Sequence, residues 1–103
     1  MIRVRHYTTV SGVQRILDDG VIKAFDQNKV FVEKADNRRL SPTVALEKYG
    51  LARGRGNACI EFEIEQELLR MQYNVAMEIS EYYLQGDVVL AGREVEAFFN
   101  FAR

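Results

Sequence analysis

The sequence predicts an α+β fold, and three observations carry the prediction. Helix signatures fall in the first half of the chain, strand-like segments dominate the second, and the order reads β-α-β-α-β-β-β. Early helices followed by a run of strands favour a sheet covered by helices over an alternating parallel arrangement.

The first strand is Arg3-Val4-Arg5-His6-Tyr7-Thr8, rich in β-formers and weakly alternating. A helix is expected to begin at Ser11, whose hydroxyl can cap the backbone, with Gln14 three residues on as capping-box partner. Val13, Ile16 and Leu17 make its apolar stripe, and Asp18-Asp19-Gly20 ends it. Lys29 to Glu33 is the second strand, after the turn-prone Asp26-Gln27-Asn28.

Ser41-Pro42 opens the next helix, because serine can cap and proline is pre-set for the first helical position. Its buried side is expected from Val44, Ala45, Leu46 and Tyr49, and Gly50 stops it. The polar loop Arg53 to Asn57 leads into the clearest strand, with Ile60, Phe62 and Ile64 on a core face and Glu61, Glu63 and Glu65 on a face expected to meet water. A helical turn is expected within Glu65 to Met71. Strand pieces are expected at Asn74 to Ile79, Glu81 to Leu84, Val88 to Leu90 and Val95 to Phe101.

With 103 residues there is room for one core, so residues 1–103 are read as a single domain. A hydrophobic fraction of 48% beside 28% charged residues is ordinary for a globular protein. No apolar run approaches the roughly 18 residues needed to cross a bilayer, so no membrane partner is expected, nor an export signal at the opening. The single Cys59 lies in an apolar stretch and reads as a small buried hydrophobe. A net charge of −1 argues against affinity built on blanket attraction to phosphates. Arg38, Arg39, Lys48, Arg53 and Arg55 nevertheless gather ahead of Glu61, Glu63, Glu65 and Glu67, which leaves room for a local anion site.

Common cofactor signatures are missing. Gly54-Arg55-Gly56 lacks the third glycine of a dinucleotide fingerprint and precedes a strand where a helix is required. One His and one Cys do not support a zinc site, and no metal is expected. The most informative local feature is His6-Tyr7-Thr8, which sets the only histidine near the end of the first strand. A lone strand histidine is by itself more often a packed structural residue.

The run from His6-Tyr7-Thr8 through Val13-Gln14-Arg15-Ile16-Leu17 to Gly20-Val21-Ile22 resembles the opening of ADP-ribosyltransferase-fold toxins of the His-Tyr-Glu type, where such a strand enters a helix. Ser80-Glu81-Tyr82 is similar to the late strand that carries the family's glutamate. Val30-Phe31-Val32 matches by position a strand that often holds tyrosine, with Phe31 in its place. The resemblance implies a small split β-sheet with two helices in the N-terminal half. It implies NAD as substrate and catalytic residues His6 and Glu81, with His6, Tyr7, Thr8 and Phe31 at the dinucleotide. It further implies a protein or nucleic-acid acceptor (RNA included), or water, and a cognate immunity protein. The site of action would be the cytoplasm of a target cell, reached as part of a secreted effector.

Chemistry adds Arg53 and Arg55, whose guanidinium forks suit a pyrophosphate and sit beside glycines that permit close approach. Glu94 and Glu96, on another late strand, are second choices for the carboxylate. Two rival readings stand beside the transferase. One is a small toxin ribonuclease using His6 as general acid or base; the other is a non-catalytic protein-binding module presenting Phe98, Phe99 and Phe101.

Overall fold

The computed structural model describes residues 1–36 and 38–99. Strands β1 (Ile2–Thr8), β2 (Val21–Ile22), β3 (Lys29–Lys34), β4 (Ala58–Ile64), β5 (Arg70–Asn74), β6 (Ile79–Gln85), β7 (Val88–Val89) and β8 (Val95–Phe99) are joined with helices α1 (Val10–Asp19) and α2 (Pro42–Tyr49). Six of the strands form an antiparallel sheet in the order β5-β6-β3-β1-β4-β8, and β2 and β7 form a separate ribbon. This is the α+β arrangement expected, with both helices in the N-terminal half.

One face of the sheet carries the core. Val4 pairs with Phe62, Ile2 with Ile64 and His6 with Ile60, so the inward residues of β1 and β4 lie side by side. Val30 and Val32 of β3 and Leu84 of β6 extend this surface. Ile16 of α1, Ile22 of β2, and Val88 and Leu90 on or just after β7 close over it. Phe62 and Ile60 are fully buried, and each side chain of that kind contributes about 1.5–3 kcal/mol of transfer free energy.

Helix α2 forms where its caps predict. The Ser41 hydroxyl accepts from the Val44 backbone N–H at 3.3 Å, and Gly50 takes the left-handed conformation at φ 62°. Helix α1 starts earlier than expected. Thr9, not Ser11, is its cap, accepting from Gly12 N–H at 2.9 Å, because β1 runs on to Thr8 and the chain turns at once. No bond between Ser11 and Gln14 marks a capping box among the described residues.

Several expectations are corrected. Leu17 and Val44 are exposed, so the buried stripes narrow to Val13 and Ile16 in α1 and to Pro42 and Ala45 in α2. Asn74 to Ile79 is not a strand: residues 75–78 are the turn of the β5–β6 hairpin, with Glu78 at φ 55°. The helical turn after β4 is a single 3-10 turn at Gln66–Leu68. Phe98 lies under the Arg39 guanidinium at 3.7 Å, Phe99 is partly exposed, and Phe101 is outside the described residues.

The largest correction concerns Glu61. It is not on a wet face but only 5% exposed, next to Arg5 at 3%. On the side of the sheet away from the core, Arg3 Nε donates to one oxygen of Glu61 at 2.9 Å and Arg5 Nε to the other at 2.8 Å. Arg5 also pairs with Glu33 through its other nitrogen, and Arg3 reaches Glu96 at 2.8 Å. Burial pushes the Glu61 carboxyl up, but the bonds from Arg5 and then Arg3 outweigh it and leave it below the usual carboxylate range.

Candidate active site

The site is made by a split in the sheet. Strand β1 pairs with β4 along its whole length, from Ile2↔Ile64 to Thr8↔Ala58, but with β3 only at Val4↔Lys34 and Arg5↔Glu33. Beyond those pairs β3 turns its hydrogen bonds to β6. The last part of β1 and the first part of β3 therefore part company, and a cleft of about 710 Å³ opens between them. That volume lies within the range of pockets that hold drug-sized ligands.

His6 sits where the strands part. Its Nδ1 is 2.7 Å from the Phe31 carbonyl oxygen of β3; a carbonyl can only accept, so Nδ1 carries the proton. Burial lowers the imidazole pKa below 6.5; the Phe31 bond opposes this and the Arg55 charge adds to it. The ring is thus neutral near pH 7, fixed in one tautomer, with Nε2 left as an acceptor. Among the described residues Nε2 has no protein partner.

Because the folded protein resists protonating His6, the unfolded chain takes up that proton first as pH falls below 6.5. The contribution is complete above pH 6.5 and is lost as pH falls from there through the lowered folded value. Urea unfolding at about pH 7 and about pH 5 is expected to show a loss of at most about 1.4 kcal/mol per pH unit from this proton. His6→Gln should remove that part of the slope; an identical pH profile in the variant would show that His6 is not its source.

Glu81 on β6 lines the same cleft. By strand alternation it lies opposite Tyr82, which shares the core face with Val32, so it stands on the Glu33 side of the sheet. The pleat assigns the two groups to opposite faces of the sheet, and both are among the residues that line the cleft. Among the described residues the Glu81 carboxylate has no hydrogen-bond or ion-pair partner. Tyr7, Thr8, Phe31 and Arg55 also line the cleft, while Arg53 is not among its lining residues. Phe31 lies beside Tyr83 with ring centroids 6.2 Å apart. Glu94 and Glu96 are absent from the cleft wall, Glu96 being held by Arg3.

Sequence reasoning missed Glu33 and Tyr49. The Tyr7 hydroxyl donates to Glu33 Oε2 at 2.8 Å and accepts from Leu40 N–H at 2.8 Å, and Tyr49 donates to the other Glu33 oxygen. Burial first, and the Glu33 carboxylate besides, raise both phenols above their ordinary pKa of 10.0, so both stay protonated donors. No motif flagged this cluster. Its one sequence signal is a glutamate that follows the apolar run Val30-Phe31-Val32.

A family model described as "HYD1 signature containing ADP-ribosyltransferase" (Tox-ART-HYD1) matches residues 4–92. The chain belongs to this family. The match spans β1 through β7 and so covers every wall of the cleft in this ADP-ribosyltransferase toxin domain. No curated protein and no solved structure gives a match. The split sheet, with two helices placed early in the chain, agrees with a small domain of the ADP-ribosyltransferase kind.

Proposed function

We propose that this toxin domain binds NAD in the split and cleaves its nicotinamide N-glycosidic bond, passing ADP-ribose to a protein or nucleic-acid acceptor or to water. The observation that carries the reading is the neutral, tautomer-fixed His6 in the same cleft as an unpaired carboxylate, Glu81.

In this reading His6 Nε2 accepts a hydrogen bond from a hydroxyl of the nicotinamide ribose and holds the sugar. When the bond from C1′ to the pyridinium nitrogen breaks, its electron pair leaves with nicotinamide and positive charge develops on the ribose. A fixed carboxylate stabilises that charge more than it stabilises bound substrate, which is what lowers the barrier. Among the cleft's glutamates Glu81 suits this best, since the charge of Glu33 is already engaged by Arg5, Tyr7 and Tyr49. The acceptor then bonds to C1′ and gives up its proton. Arg55, close enough to His6 to depress its pKa, supplies the cation for the pyrophosphate.

A neutralising partner protein, and delivery into a target cell within a larger effector, belong to the same proposal. A thermal-shift titration tests the central step. At about a hundredfold excess over Kd, NAD should stabilise the fold by about 2.7 kcal/mol, which is about 10 °C or more in Tm for a domain of this size. His6→Ala should lose most of that shift relative to its own unliganded Tm. A wild type whose Tm does not move with NAD, and which cuts RNA, would replace this reading with the ribonuclease one.

A further inference from the structure

The loop between β2 and β3 holds an exposed aromatic ring at the lip of the cleft. Phe25 lines the cleft and is 74% exposed, so its ring is open to a ligand. After Asp26 come two consecutive non-glycine residues in the left-handed region, Gln27 at φ 60° and Asn28 at φ 58°. Such conformations are unfavourable for L-residues and persist where the surroundings enforce them.

The surroundings do enforce them. Phe25 N–H donates to the Lys29 carbonyl at 3.1 Å, and Asn28 N–H donates to the Phe25 carbonyl at 2.9 Å. The Asn28 carbonyl accepts from Gly86 N–H at 2.7 Å and from Gln85 Nε2 at 2.8 Å. Ala24 N–H is tied to Asp87 Oδ1 at 2.7 Å, and Lys29 Nζ donates to Gln27 Oε1 at 2.8 Å. The ring is thus displayed on a braced loop. Arg55 lies 5.9 Å from its centroid, at the outer limit of cation–π range, so the ring is not covered.

Arg55 lines the same cleft as His6 and Phe25. His6, Arg55 and Phe25 line one cleft, with Arg55 5.9 Å from the Phe25 ring centroid: a sugar-binding acceptor, a cation and an aromatic face. A dinucleotide offers a partner to each of the three, as nicotinamide ribose, pyrophosphate and purine. We propose that Phe25 is the stacking surface for the purine ring of the bound dinucleotide, an inference that rests on the NAD reading above.

Calorimetric titration of wild type, Phe25→Ala and Phe25→Trp with NAD and with ADP-ribose tests it. Base stacking on one aromatic ring corresponds to about a tenfold or greater change in affinity. Phe25→Ala should bind both ligands about tenfold more weakly, with Tm of the free protein unchanged, and Phe25→Trp should retain wild-type affinity. Wild-type affinity in the alanine variant overturns the inference, and so does equal weakening in the tryptophan variant, because a flat ring would then not be what matters. A wild type that binds neither ligand overturns the NAD reading itself.

Discussion

Replacing Glu81 by glutamine is expected to lower the rate of nicotinamide release from NAD by about 10²–10³ while leaving the fold intact. The magnitude is that of removing one group aimed at charge that develops in a transition state, about 2.7–4 kcal/mol. Glutamine keeps the size of the side chain and loses only the negative charge. Stability should be spared because, among the described residues, the carboxylate has no protein partner to lose. NAD affinity should change far less than turnover, since the ribose carries its positive charge only as the bond breaks. Turnover measured by chromatography of released nicotinamide, alongside a Tm and a Kd for NAD, separates these effects. Unchanged turnover removes Glu81 from the chemistry. A matching fall in affinity and rate would make it a binding group instead.

The strands that carry His6 and Glu81 were legible, because those elements follow from local chemistry. Helix α2 shows how far such chemistry reaches: Ser41, Pro42 and Gly50 set its ends through groups no more than a few residues apart. Two features were hidden because they depend on distant partners. Glu61 alternates with Ile60 and Phe62 as a solvent-facing residue would, and nothing nearby announces the arginines that bury it from 56 and 58 positions away. Glu33 is likewise defined by Arg5, Tyr7 and Tyr49, which only the folded sheet and α2 bring together. The β5–β6 hairpin was misread for another reason. Val75 and Met77 look like strand residues, and the left-handed conformation of Glu78 that makes the turn has no glycine to mark it. The cleft itself lay beyond reach, because it arises where two strands stop pairing, and pairing is not written in either strand alone.

The buried charges predict the largest effect on stability. Arg5→Met is expected to cost about 3–5 kcal/mol, the usual consequence of removing one partner of a buried pair and leaving its counter-charge stranded. Here the loss is shared by two carboxylates, because Arg5 bridges Glu61 at 2.8 Å and also pairs with Glu33. For a domain of this size the change corresponds to a fall of more than about 10 °C in Tm. Burial disfavours the charged arginine, yet the bonds to Glu61 and Glu33 more than offset it and raise its pKa, so the native state depends on that charge. Removing the Glu61 carboxylate as well should restore part of the stability: in Arg5→Met/Glu61→Leu, an apolar pair replaces the buried salt bridge, and Arg3 keeps Glu96 as partner. Urea denaturation of the single and double variants gives the comparison. A single variant within about 1 kcal/mol of wild type, or a double variant less stable than the single one, would mean that the network adds little and that the core face alone holds β1 in place. The expected result makes the network a clamp on the site, since it pins β1 to β3 at Arg5↔Glu33, one residue before His6, where the split opens.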